Sequence, residues 1–422
     1  MSIFRDMLTR VSDACFIWAQ EMKQVFKDEG VLIFFVIVPL VYPLLYSWIY
    51  NNEVVREIPV VVVDQSHSSL SRQFIRHCDA SPDVKVAYYA EDLEEGKSLV
   101  SRQLAKGVYF IPSDFATNIN RMQQAVVSVY CDMGLMLTYK ALYITAQSVS
   151  QAMGAEIQTK WSGHYTNRED EIQKQPLAYE SVALYNPSGG YGSFILPGVL
   201  ILILQQTLVL GIGMSAGTAR ERNRYHNLIP IDRHYQSVGS ILGGKALAYF
   251  MIYMIMAVYL TMCVPRFFSF PMLANWQSLA CVLLPYILAC IFFGMSVSCL
   301  VRYRENVMLI MVFVSLPLLF LTGISWPQSS IPAVWKGISL LFPSTFGVRA
   351  YVRLNSMGAP IGDVAWELRC LWIQAAAYFG LACIVYGYQV KLSRHHALER
   401  LEHMGRKEQV REWIKKRKSP AV

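Results

Sequence analysis

Six stretches of this chain, residues 31–50, 191–219, 246–264, 267–301, 306–335 and 370–390, run without a single Asp, Glu, Lys or Arg. A bilayer's hydrocarbon core is about 30 Å thick, which roughly 20 apolar helical residues cross. One Lys or Asp at the centre of such a helix costs about 2.5 to 3.5 kcal/mol on insertion scales. Six uncharged windows in one chain therefore predict six transmembrane helices. The whole composition agrees: 16% of the 422 residues are charged and 54% are hydrophobic, against roughly 25% charged in a soluble domain.

Orientation is read from Lys and Arg in the short loops and flanks. Arg220, Arg222, Arg224 and Arg233 follow the second window, Arg302 and Arg304 follow the fourth, and the tail from 391 holds ten basic and four acidic residues. These segments, and both termini, are expected in the cytoplasm. Segment 51–190, with twelve basic and sixteen acidic residues, is expected outside. The first apolar stretch lacks a small-residue cleavage site, so the first helix is expected to stay as a signal anchor.

The expected fold class is an α-helical membrane protein of six transmembrane helices with an extracytoplasmic α/β domain between helices 1 and 2. Residues 1–30 repeat Phe4, Leu8, Val11, Cys15, Trp18, Met22 and Val25 at spacings of four and three, an amphipathic helix whose apolar stripe would lie in the cytoplasmic interface. Helix 1 follows at 31–50. In 51–190 the apolar runs "IPVVVVD", "VKVAYYA", "VYFI" and "AVVSVYCD" each precede a helical period, and residues 161–185 read as a polar connection. Helices 2 to 6 occupy 191–390. Within 324–360, Gly, Pro and Trp residues suggest short re-entrant helices on the outer side, or else an ordinary external loop. Residues 391–422 form a basic tail suited to anionic lipid. The nine cysteines show no metal-binding spacing; Cys78 and Cys131, in the outward domain, could pair or remain buried thiols.

No catalytic, metal or nucleic-acid signature appears. Gly239 and Gly244-Lys245 have the spacing of a phosphate loop, but Ala246 stands where the Mg²⁺-binding hydroxyl is required. Lys245 is instead expected to anchor its helix, its stem along lipid and its ammonium in water. The six windows lack Asp and Glu, the usual carriers of ion coupling, so any energy for movement across the membrane must come from elsewhere. Gln205, Gln206 and Thr207 near the centre of helix 2, with Trp326, are candidates for a substrate pathway; amides such as these and Gln374 also serve as bridges between helices. The loop 218–237, "TARERNRYHNLIPIDRHYQS", is a solvated turn or a docking surface for a soluble partner.

In this order, Pro39 in helix 1, the opening "VVVVDQSHSSLSRQF" of the large domain, "FILPG", "RERN", "GGKALAYF" and "LTGISWPQSSIPAVWKGISLLFPSTFGVRAYV" resemble the ABC-2 type permeases of ATP-binding cassette exporters. The resemblance covers essentially the whole chain. It implies a permease that exports a small amphipathic or hydrophobic, drug-like substrate across a bacterial inner membrane, pairs as a homodimer or heterodimer, and is driven by a separate ABC ATPase that binds ATP and Mg²⁺. A periplasmic adaptor would be a further partner. Arg220, Glu221 and Arg222 match the charged start of the family's coupling loop, Gly244 and Lys245 its Gly-Lys, and Pro197 and Gly198 its Pro-Gly; Arg224 and Tyr225 complete the proposed ATPase contact. The sequence departs from the family at Asn223-Arg224-Tyr225-His226, where an acidic residue is usual. Export of a glycan or lipid-linked polymer, and a non-transporting receptor or scaffold acting through the outer domain, are the alternatives.

Overall fold

The computed structural model describes residues 2–51, 53–162, 184–186, 189–223, 227–230, 232, 234, 235, 237–299, 301 and 303–418. The chain divides into two compact units, residues 52–184 and the remainder.

The larger unit is helical. Among the described residues six helices are long and apolar enough to cross a membrane: Glu29–Ile49, Tyr191–Arg222, Val238–Phe267, Trp276–Ser298, Arg304–Leu321 and Ile361–His396, here spans one to six. A helix apolar all round belongs in a core, and span two is such a helix. Its most apolar window is 83% buried, against 28% in span one, 24% in span five and 17% in span six. Spans two and five approach so closely that a Cβ on Gly217 would stand 2.8 Å from the backbone nitrogen of Arg304. Spans one and three each contain a π turn, Ile33–Ile37 and Tyr259–Cys263, just ahead of Pro39 and Pro265. A helical proline clashes with the carbonyl four residues back, and the wider turn takes up that mismatch.

Three boundaries differ from the uncharged windows. Span three begins at Val238, so that Lys245 lies inside the helix. Span four begins only at Trp276. Span five ends at Leu321, two residues before Gly323 turns to φ +89°, a left-handed conformation that closes helices and favours glycine. The segment expected to be re-entrant contains two short helices, Ala333–Ser339 and Pro343–Asn355. The second is largely buried: a Cβ on its Gly347 would stand 2.4 Å from the ring of Tyr286 in span four.

The amino-terminal helix, Ser2–Lys27, packs through only the later part of the stripe seen in its periodicity, where Val25 is fully buried and Met22 lies against the core. Val11 is 57% exposed and Cys15 is exposed. Among the described side chains its buried positions are Ile17, Glu21 and Val25, spaced by four, on a helix that packs against span three.

The smaller unit is α/β. Strands β1 (Ile58–Asp64), β2 (Val84–Tyr89), β3 (Gly107–Ile111) and β4 (Ser128–Cys131) form one sheet in the order β2-β1-β3-β4. The first three are parallel and β4 is antiparallel to β3. A parallel strand covered on both faces needs an unbroken apolar run, which is why Val60 to Val63 are all fully buried. Val60 and Val62 face helices Ser69–Asp79 and Met136–Ser162, while Val61 and Val63 face Leu93–Ser101. Cys78 and Cys131 are both free thiols. Burial, with the charge of Asp79, pushes the Cys78 thiol up to about 12, and burial raises Cys131. Most of the expected polar connection, residues 163–183, lies outside the described residues.

Candidate functional site: a polar clasp and an apolar groove

Lys245 does not reach water. It is 7% exposed, and its Nζ lies 2.6 Å from Oε2 of Glu21, itself 2% exposed. The other carboxylate oxygen of Glu21 accepts hydrogen bonds from the Tyr249 hydroxyl and, at 3.1 Å, from Ser215 of span two. The expected snorkelling fails because the amino-terminal helix covers this part of span three, and a buried ammonium must then be paired. Gly244 permits the cover: a Cβ there would stand 2.6 Å from the carbonyl oxygen of Ala14. The glycine lets two helices touch and the lysine pairs across the contact. Burial alone would raise the Glu21 carboxyl, but the Lys245 charge and the hydrogen bonds from Lys245, Tyr249 and Ser215 hold it below the ordinary carboxylate value.

The same helix is tied to the segment between spans two and three and to the start of span three. Nδ1 of His234 meets Oδ1 of Asp13 at 2.7 Å, the His234 ring stacks on Phe16 at 4.3 Å, and Ser240 donates to the Arg10 carbonyl at 3.1 Å.

The charged end of span two contacts three other elements. Arg220 is 7% exposed and donates to the carbonyls of Val301 and, at 2.8 Å, Cys299, which end span four. Glu221 is exposed at the surface and accepts the backbone N–H of Arg304 at 3.1 Å, the first residue of span five; a carboxylate suits a helix N-terminus, where amides lack partners. Arg222 lies 3.5 Å from Asp28, whose other oxygen accepts the Val31 N–H and caps the start of span one. Three successive residues thus join span two to spans four, five and one. Arg224 and Tyr225 lie outside the described residues.

A groove of about 760 Å³ lies between spans one, two and five. Span one lines it with Phe34, Tyr42, Tyr46 and Tyr50, span two with Tyr191, Gln206 and Thr207 among aliphatic residues, and span five with Met308, Met311, Ser315 and Phe320. Of the expected pathway residues, Gln206 and Thr207 line the groove. Gln205 turns away: it is 1% exposed, and its amide accepts the Ser344 N–H at 2.6 Å and donates to the Ser344 hydroxyl at 3.2 Å. Gln374 likewise bridges, donating to the Leu340 carbonyl at 2.7 Å. Trp326 is 54% exposed and not part of the lining, which its neighbour Ser325 joins. Among the described residues no group of three His, Cys, Asp or Glu could hold a metal ion.

Sequence reasoning missed Glu21, Ser215 and Tyr249 at the clasp. The signal lay in Ile17, Glu21 and Val25: a carboxylate flanked at four residues either side by aliphatics marks a second, buried face.

A family model described as ABC-2 family transporter protein matches residues 30–384. No curated protein matches the chain. Six spans, a groove between three of them and a match that reaches from span one into span six lead to one assignment: the chain belongs to the ABC-2 family of transporter proteins, and is the membrane component, the permease, of an ABC exporter.

Proposed function

We propose that this permease exports a small amphipathic or hydrophobic, drug-like molecule, which moves along the groove between spans one, two and five. The single observation that carries the reading is the groove itself. Its volume falls in the range of about 300 to 1,000 Å³ typical of small-molecule sites, and its apolar and aromatic walls hold a few polar groups, Gln206 and Thr207 foremost. Spans one and five, which wall the groove with span two, are among the least buried of the six, which supports a second permease copy packing there and closing the path. The basic ends of the spans, both termini and the segment 218–237 face the cytoplasm, and the α/β unit faces outward.

A separate ABC ATPase, holding ATP and Mg²⁺, docks at segment 218–237. Arg220, Glu221, Arg222 and the Glu21–Lys245 clasp then spread its movement: the first three reach spans four, five and one, and the clasp adds the amino-terminal helix and span three. The reading is tested by reconstituting the chain with its ATPase in vesicles and following ligand-stimulated ATP hydrolysis and substrate movement. Leu319→Trp, which fills the groove from span five, should abolish the stimulation while leaving basal hydrolysis. Undiminished transport by that variant would overturn the groove as the path.

A further inference from the structure

Building on the reading of the groove as the substrate path, we propose that it selects lipophilic organic cations, whose charge is delocalised or shielded by aryl or alkyl groups, over anions of equal size. Tyr42, Tyr46 and Tyr50 follow one another at intervals of four along span one, and Tyr191 of span two continues the row, with ring centroids 4.8, 6.3 and 5.5 Å apart. All four line the groove. At 1.5 Å per residue the three on span one cover about 12 Å of helix axis, deeper than a single ring of aromatics at a headgroup boundary would need.

An aromatic ring presents a negative face and attracts a cation held within about 6 Å of its centroid. The described residues that line the groove include no Lys, Arg, Asp, Glu or His. An anion entering it would lose water and find only hydroxyl and amide donors, with no cation to balance its charge. A small, strongly hydrated cation would lose its water with no carboxylate in exchange. A large cation with a diffuse charge has little hydration to lose and gains the rings on one wall and the polarisable thioethers of Met308 and Met311 on the other.

Tetraphenylphosphonium and tetraphenylborate have the same four aryl groups and opposite sign. Each is offered to the permease–ATPase complex in lipid nanodiscs, with protein-free nanodiscs as the reference for partition into lipid. Saturable binding above the reference is expected for the phosphonium alone. Tyr46→Leu should weaken it at least fivefold and Tyr46→Phe, which keeps the ring, less than twofold. Tyr42→Leu, at a position already 45% exposed, repeats the comparison where folding is least at risk. Equal saturable binding of the borate, or unchanged phosphonium affinity in both leucine variants, would overturn the proposal. If anionic amphiphiles stimulate hydrolysis as well as cationic ones in a way that Leu319→Trp blocks, charge selection fails while the groove remains the substrate path; if no amphiphile does so, the reading of the groove as the path of an amphiphilic substrate fails with it.

Discussion

Glu21 is a carboxylate carried by the amino-terminal helix into a contact that water does not reach, and its partners all lie on spans two and three. A buried ion pair adds little net stability compared with apolar packing, yet removing one partner leaves the other uncompensated, at a cost of about 3 to 5 kcal/mol. Lys245→Met should therefore lower the thermal unfolding midpoint of the detergent-solubilised protein by far more than the paired change Glu21→Leu with Lys245→Met. Equal loss in the two would show that the ion pair is not the source. The same residue sets an acid limit. Because its folded-state pKa is depressed, the stabilisation from Glu21 is fully present above the ordinary value of 4.5 and is lost as the pH falls through the lower folded value. Unfolding followed against pH should show that acid loss in the native chain. Glu21→Gln should lack this component, and an unchanged acid slope in the variant would assign it to other groups.

At the scale of elements, the end of span two is a junction. Arg220 closes the carbonyl end of span four from a buried position, whereas Glu221 caps span five from the surface. Their variants should differ accordingly. Glu221→Gln keeps an oxygen for the Arg304 N–H and should retain most transport. Glu221→Lys replaces the acceptor with a cation at a helix N-terminus and reverses a charge in the proposed ATPase contact, where loss of one partner costs on the order of 2 to 5 kcal/mol. Transport and ligand-stimulated hydrolysis should fall at least tenfold at unchanged membrane abundance, with Glu408→Lys in the tail as the control. Full transport by Glu221→Lys, with normal recovery of the ATPase, would leave that residue only its cap. Gly244→Leu pushes the amino-terminal helix, and Glu21 with it, off span three without replacing any charged residue. It should uncouple hydrolysis from transport in the same assay, and a normal ratio of substrate moved to ATP hydrolysed would separate the helix from coupling.

For the whole molecule, the proposed dimer makes a distinction among exposed apolar faces. Phe313 of span five is 76% exposed beside the groove, and Ile384 of span six is 73% exposed. With the native cysteines replaced, Phe313→Cys should cross-link to its copy in membranes, and Ile384→Cys, facing lipid, should not. The reverse pattern would move the partner to span six. The proposed orientation is checked by cysteine accessibility at residue 100: labelling from outside intact cells is expected, and labelling only after permeabilisation would invert the topology.

Span number and the α/β alternation were legible in the sequence because both depend on short-range pattern: an uncharged window long enough to cross a bilayer, and an apolar run such as Val60 to Val63 that a doubly covered strand requires. Polar residues in apolar helices were legible as candidates only. Gln205 and Gln206 are neighbours of identical chemistry, and a helix turns about 100° between them, so one locks span two to the helix Pro343–Asn355 while the other lines the groove. Nothing local separates the two. Lys245 shows the same limit more sharply: the sequence located it beside an apolar window, but whether its ammonium met water or a carboxylate depended on Glu21, 224 residues away. That pairing exists because Gly244 lets two helix backbones come into contact, a long-range approach that only the tertiary structure decides.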